Sequence, residues 1–228
     1  MRVAMTGATG LIGSALLSLL ESNGHQVIPL RRGSSNDRTT PSWNPLSGDL
    51  SDAAVDGVDA VVHLAGENIA GGRWTKARKA RIRDSRVHGT RHLSEALARL
   101  ERPPKTLIVA SAIGFYGDRG EERLHEQSSA GTGFLPEVCQ AWEAAAEPAV
   151  SRGIRVVQLR LGIVLTPAGG ALGQMLLPFK LGLGGVLGSG QQYMSWVALD
   201  DVLTSVLHAL RTESLTGPVN VVAPHAVT

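Results

Sequence analysis

The chain has 228 residues, 43% of them hydrophobic, which is enough apolar material for a sizeable core and excludes disorder as the main state. The formal net charge is +2, and no window of about 18 uncharged apolar residues occurs, which excludes a spanning helix; the nearest approach, Leu11 to Leu20, is short. Cys139, the single cysteine, has no internal disulfide partner, and the seven histidines are scattered without metal-ligand spacing, so no metal site is expected. Thr6, Gly7, Thr9, Gly10 and Gly13 interrupt the stretch that a secretory signal would need, and a cytoplasmic location is expected.

Strand and helix signals alternate along the chain, the pattern of an α/β fold with a parallel sheet covered on both faces. Arg2 to Met5 begin a short strand, and Leu11 to Leu20 follow as a helix with Ile12, Ala15, Leu16 and Leu19 on one face and Gly24 as its stop. Gln26 to Leu30 read as a second strand, shortened by Pro29, which lacks a ladder N–H. Gly33 to Gly48 read as loop, Ala60 to Leu64 as a strand, Thr75 to Leu100 as a long helix and Thr106 to Ala110 as a strand after Pro103 and Pro104. Leu135, Val138, Trp142, Ala145 and Ala149 recur at helical spacing, with a late kink expected at Pro148, and Ile154 to Leu159 return as a strand.

Beyond Thr166 eight glycines fall within the 22 residues from Gly169 to Gly190, too many for a regular element but suited to loops that wrap a ligand. The expected organisation is a dinucleotide-binding domain over 1–165 and a smaller substrate lobe over 166–228. The sequence stops at Val219 to Thr228, in what reads as a strand and its exit, so a fragment of a longer protein is expected.

Between Arg73 and Arg91, 8 of the 22 cations are accompanied by one acid, Asp84, which leaves 14 cations against 19 acids elsewhere. These charges point all around a helix and no aromatic platform accompanies them, so a solvated helix is expected rather than a nucleic-acid surface.

The strongest chemical signal is Thr6-Gly7-Ala8-Thr9-Gly10-Leu11-Ile12-Gly13, directly after the first strand and opening the first helix. Its glycines let the backbone turn and approach a pyrophosphate, which sits on the amides of the helix N-terminus. At the end of the second strand an acid receives the ribose 2′-OH of NAD, whereas an arginine receives the 2′-phosphate of NADP. Arg31 and Arg32 stand there, and Asp37 lies too far into the loop, so NADP(H) is the expected cofactor.

That glycine motif, the His63-Leu64-Ala65-Gly66 turn, Ser111 to Gly117 (SAIGFYG) and Trp196 to Val202 (WVALDDV) together resemble the extended short-chain dehydrogenase/reductase superfamily. Leu64 to Ile69 (LAGENI), Arg73-Trp74-Thr75, Ser85-Arg86, Trp142-Glu143 and Leu177 to Gly190 resemble its NAD-dependent epimerase/dehydratase-like branch. The resemblance covers essentially the whole chain and implies members longer than it. It implies a Rossmann-type doubly wound sheet binding NADP(H), with Gly7, Thr9, Gly10, Leu11, Ile12 and Gly13 on the pyrophosphate and Arg31 and Arg32 near the 2′-phosphate. It places Leu64, Ala65 and Gly66 beside the adenosine half. Arg86 replaces the asparagine that ordinarily precedes Val-x-Gly-Thr, here Val87-His88-Gly89-Thr90, and is expected to reach the cofactor phosphates.

Catalysis is where the superfamily pattern fails. Its general acid is the tyrosine of a Tyr-x-x-x-Lys pair, with the lysine lowering the tyrosine pKa. Four residues after Tyr116 and Tyr193 stand Gly120 and Val197, the helix expected to carry the pair offers Cys139 and Glu143, and Ala112 occupies the usual serine position. Cys139 and Glu143 lie one helical turn apart, where the carboxylate would raise the thiol pKa and make Cys139 a proton donor; the plainer alternative is a packed core cysteine. Ser111 and Tyr116 are further candidate donors, and Glu67 reads as a loop anchor. The preferred reading is an NADP(H)-dependent oxidoreductase or epimerase acting on a small, polar, sugar-like substrate. The alternatives are a catalytically degenerate NADP(H) sensor and a basic-helix interaction protein. Neither nucleic acid nor membrane is expected as a partner, and a homodimer stays open.

Overall fold

The structure is a computed structural model, described here for residues 1–33, 41–51, 55–186 and 188–228. Seven parallel strands form the main sheet in the order β3-β2-β1-β4-β5-β6-β9: β1 (Arg2–Thr6), β2 (Gln26–Arg32), β3 (Ser42–Trp43), β4 (Ala60–His63), β5 (Thr106–Ala112), β6 (Arg155–Leu161) and β9 (Gly217–Val221). The helices are α1 (Leu11–Ser22), α2 (Lys76–Arg99), α3 (Phe134–Ala144), α4 (Glu147–Ser151), α5 (Gly170–Lys180) and α6 (Leu199–Arg211). This is the doubly wound Rossmann arrangement, whose strand order reverses beside β1.

The central strands are apolar on both faces because helices cover both. Val3, Met5, Ala60, Val62, Ile108 and Leu159 pack with Leu16 and Leu20 of α1 and with Val206 and Leu210 of α6. Their neighbours Ala4, Val61, Leu107 and Val109 pack on the other side with Leu93 and Leu97 of α2, Trp142 of α3 and Ala149 of α4. Thr75 caps α2, its side chain accepting the Arg78 N–H. Arg73, Lys76, Arg81, Arg83 and Arg91 on and before that helix are exposed. No described helix is long and apolar enough to cross a membrane.

Several elements depart from expectation. Pro29 does not shorten β2, which runs on to Arg32. Gln26 donates its N–H to Met1 on the β1 side and Arg31 donates to Pro41 on the other. Alternation therefore aims the donorless nitrogen of Pro29 away from β1, at an edge where β3 pairs only Arg31 and Arg32. Within the expected loop from Gly33 to Gly48, Ser42–Trp43 form β3, and Trp43 buries its indole in the core. Pro148 does not kink one long helix; the chain breaks at Ala145 and Ala146, and Pro148 sits in the first turn of α4, where its missing N–H costs nothing.

The glycine-rich stretch also holds a regular element, since α5 spans Gly170–Lys180 despite Gly170, Gly173 and Pro178. It stands beside a small separate sheet of β7 (Ile163–Thr166) and β8 (Trp196–Ala198). The boundary expected at 165/166 does not follow the packing, because α6 and β9 return to the main sheet and its core. The outward donors of edge strand β9 are closed: Pro218 has no N–H, and the Asn220 N–H is taken by Glu126 Oε1 at 2.9 Å.

α5 has no buried residue; Leu177 and Phe179 on it and Leu181 and Leu183 just after it are exposed. Amide hydrogen exchange is therefore expected to be fast over 170–186 and slow in β1, β4 and β5. Equal protection of both regions would contradict this.

Candidate functional site

The carboxyl ends of β1, β2, β4, β5 and β6 share one rim, and the residues singled out in the sequence gather on it. Gly7 turns the chain out of β1 at φ 74° and accepts the Gly10 N–H at 3.0 Å, and Gly10 is the N-cap of α1. A Cβ on Gly7 would lie 2.8 Å from Ala65 N, and one on Gly13 would lie 2.1 Å from the Gly7 carbonyl oxygen. Thr9 and Gly10 are exposed, Leu11 and Ile12 half-buried, and no acid stands in the first turn of α1. The first-turn amides, with no acid beside them, thus form a bare, positive helix end that fits a pyrophosphate. Arg31 and Arg32 are exposed at the end of the neighbouring strand, while Asp37 lies outside the described residues.

Beneath the turn runs a buried polar chain that the sequence did not announce. Thr6 Oγ1 receives the Ala65 N–H at 3.3 Å and lies 2.7 Å from His63 Nδ1. His63 Nε2 lies 3.1 Å from Thr90 Oγ1, which accepts the Trp142 indole N–H at 2.9 Å. The chain ties β1, β4, α2 and α3 together, with the Trp43 ring edge-on to His63 at 5.3 Å. Burial pushes the His63 pKa down from 6.5 to about 4.

The catalytic candidates converge on a second group. Glu143 accepts Ser111 Oγ at 2.7 Å, and Arg160 binds both its carboxylate oxygens, Nε to Oε1 at 2.9 Å and Nη2 to Oε2 at 2.8 Å. Arg160 Nη1 donates to Tyr116 Oη at 2.9 Å and to the Glu126 carbonyl at 3.0 Å. The phenol in turn donates to Asn220 Oδ1 at 2.7 Å, and Phe115 stacks on the guanidinium with 3.6 Å from Cζ to its centroid. Register explains the convergence, because Ser111, Arg160 and Asn220 are paired neighbours across β5, β6 and β9 and share a sheet face.

Cys139 is buried one turn before Glu143, and a Cβ on Gly114 would stand 3.6 Å from its Sγ. Burial first and Glu143 second push the thiol up to about 11, against Arg86, a backbone bond at Ala112 and Arg160. The expected direction holds, but desolvation outranks the carboxylate as its cause. Arg86 packs against Gly66 and the Trp142 ring, with Nη1 donating to the carbonyls of Glu67 and Ile82 at 3.0 and 3.2 Å. It thus stands at the 64–67 turn and α3. Glu67 meets Arg81 at 3.8 Å, and its backbone N–H donates to Ser85 Oγ at 3.0 Å. Arg160 and Asn220 were missed, although an arginine inside the apolar run of β6 was a usable signal. Among the described residues no group of three or more His, Cys, Asp or Glu could hold a metal ion.

The sequence model of the NAD dependent epimerase/dehydratase family matches residues 3–222. The chain belongs to this family. An epimerase family protein of Mycobacterium bovis is 46% identical over 226 residues, covering 99% of this chain and 74% of the relative. The crystal structure of human epimerase family protein SDR39U1 with NADPH superposes with a TM-score of 0.86 at 34% identity, covering all of this chain and 76% of that one. The nucleoside-diphosphate sugar epimerase from Corynebacterium glutamicum also gives 0.86, at 40% identity, and this chain spans 47% of its length. The chain thus has the NAD(P)-binding fold of this family.

His63 yields a pH prediction. The unfolded chain takes up the proton near pH 6.5 and the folded protein only near pH 4, so the unfolded state binds more protons in that window and stability falls as pH drops through it. Urea unfolding is expected to lose about 2–3 kcal/mol from this group between pH 7.5 and 4.5. His63→Gln, which does not titrate, removes that part of the slope; an unchanged slope refutes the assignment.

Proposed function

We propose that this chain binds NADP(H) and supports oxidoreductase or epimerase chemistry on a small, polar, sugar-like substrate. The observation that carries the cofactor choice is the pair of exposed arginines, Arg31 and Arg32, beside a glycine turn too tight for any Cβ. The NADPH of the SDR39U1 structure supports it, and the Corynebacterium relative's description supports a sugar-like substrate. A cytoplasmic location belongs to the same proposal.

NADP(H) supplies hydride transfer, and this chain must supply the proton. A thiol at about 11 keeps its proton at neutral pH and can give it to a developing alkoxide, so Cys139 has the acid strength for the missing tyrosine's task. Ser111 and Tyr116 are the other hydroxyl donors of the cluster. Glu143 does not act as a free base in this scheme. Its oxygens are committed to Arg160 and Ser111, and its part is to hold them.

That commitment also favours the second reading, an NADP(H) sensor whose chemistry has lapsed while its cofactor cradle persists. If a panel of carbonyl compounds and sugar nucleotides gives no NADPH turnover while the cofactor binds at micromolar levels, the sensor replaces the enzyme.

NADPH is expected to bind at least tenfold more tightly than NADH, about 1.4 kcal/mol, and Arg32→Asp to shrink the gap. Equal affinities by calorimetry would sink the cofactor assignment. With a turned-over substrate in hand, one of Cys139→Ala, Ser111→Ala or Tyr116→Phe should lower the rate by about 10²- to 10⁴-fold with NADPH affinity nearly unchanged. Full rate in all three moves the acid to water or the substrate.

A further inference from the structure

Arg73-Trp74-Thr75 takes no part in the glycine turn or the buried cluster, yet the fold sets it on the rim that carries both. In a doubly wound sheet a helix that follows a strand begins at the carboxyl rim, and α2, reached from β4, and α3, reached from β5, both do so. Trp74 stands just before Thr75, the N-cap of α2, and Phe134 opens α3; their rings meet edge-on, 5.7 Å apart at 72°. Cys139 follows on α3, about 7–8 Å further along the helix axis. The indole is 37% exposed, the most exposed of the four tryptophans, and it is held still. Its N–H donates to the Ile69 carbonyl at 2.9 Å, Arg78 reaches back to the Asn68 carbonyl, and the Asn68 side chain accepts the Ala70 N–H at 2.8 Å. The loop over 68–75 is thus tied to the first turn of α2.

A single exposed apolar residue needs no explanation, but this ring is fixed, its one polar atom is already satisfied, and Ile69, 43% exposed, stands beside it in the same loop. Donors surround the flat surface. Arg73 and Lys76 are exposed on either side of Trp74 in sequence, and among the described residues no acid forms an ion pair with either. Lys79, one turn on, places Nζ 5.1 Å from the Phe134 centroid. A rigid apolar plate edged with donors matches a ligand that is apolar on its face and an acceptor around its edge. A pyranose is such a ligand, since its axial C–H groups can lie on an aromatic face while its hydroxyls point outward. The spacing from Cys139 favours the reacting ring over a distal base: a sugar with its hydroxyls bridges that distance, whereas a base joined to it through phosphates lies farther off. We propose, on the reading of the rim as a site for a sugar-like substrate, that Trp74 is the plate on which the ring of that substrate stacks, with Arg73 and Lys76 at its hydroxyls.

Fluorine NMR with calorimetry tests this. The whole chain is labelled with 5-fluorotryptophan, and the Trp74 resonance is identified by its loss in Trp74→Leu and in Trp74→Tyr. UDP-glucose, UDP-galactose and glucose 6-phosphate are titrated into the NADP⁺-saturated protein, with UDP and inorganic phosphate as probes that lack the sugar and thermal melting as the check on folding. A stacked ring gives a sugar-bearing probe that moves the Trp74 resonance while UDP and phosphate leave it in place. The affinity for that probe then falls at least tenfold in Trp74→Leu and stays within threefold of the wild type in Trp74→Tyr, which keeps a flat ring, with NADP⁺ affinity held within twofold in both. If a sugar-bearing probe binds and the resonance stays put, or Trp74→Leu binds it as the wild type does, the proposal is overturned. It is overturned equally if UDP alone moves the resonance as far, which puts a base on the plate. If Trp74→Leu does not fold, the wild-type resonance decides. Failure of every sugar-bearing probe to bind the loaded protein counts against the sugar-like substrate itself and takes this inference with it; binding with a silent Trp74 counts against this inference alone.

Discussion

The carboxyl ends of β1 and β4 approach until the backbone of Gly7 lies against Leu64 and Ala65, with no room for a Cβ between them. Everything on the rim follows from that approach. It aims the first amides of α1 outward, sets the 64–67 turn beside them and brings α2, which follows that turn, over the far face. Such close contact needs a lateral tie. Thr6 and His63, paired in register on the two strands, supply it through side chains with no exposed surface. Since buried polar groups are costly unless satisfied, the chain is continued through Thr90 to the Trp142 indole, so that each ring nitrogen of His63 has a hydroxyl. Its cost is acid sensitivity, because a histidine held neutral resists the proton that the unfolded chain accepts.

The parts of this arrangement that depend on short-range chemistry were legible in the sequence. A glycine turn after a strand, a pair of arginines after the next, and apolar runs of strand length all carry their meaning within ten residues or so, and the sheet follows from their alternation. What stayed hidden depends on contacts across the chain. Arg160 is separated from Glu143 by α4 and most of β6, and Asn220 from Tyr116 by 104 residues. Only the registers of β5, β6 and β9 put them in one row. Pro29 was misread for the same reason: its effect depends on which edge of β2 it faces, and that edge is set by the neighbouring strands. The helix α5 was missed because glycine content argues against helices in general, whereas Gly169 and Gly170 lie at its start and Gly173 alone lies well inside it.

The cluster around α3 then has a simple electrostatic logic. In the superfamily pattern that the sequence resembles, a lysine stands one turn after the tyrosine; this helix offers Cys139 and Glu143 at that spacing, and a carboxylate drawn out of water cannot remain alone. Its cation comes from the sheet beneath, as Arg160 on β6, which also holds Tyr116 through Nη1. The positive charge of this cluster thus sits on a strand, and the phenol it holds sits on the turn after β5. Removing either partner of the Glu143–Arg160 pair would leave a buried charge uncompensated, a loss of about 3–5 kcal/mol. The pair is therefore a structural commitment as well as a chemical one.

That commitment explains why Arg86 stands apart. The one acid α3 turns into the cluster, Glu143, is used by Ser111 and by Arg160, a residue 3% exposed that takes both of its oxygens. Among the described residues no carboxylate forms an ion pair with the second guanidinium, Arg86, which rests on the Trp142 ring and donates to two carbonyls. Two cations share a helix that offers one inward carboxylate. The Glu143–Arg160 pair thus leaves one guanidinium of this helix's surroundings, Arg86, without a carboxylate partner among the described residues.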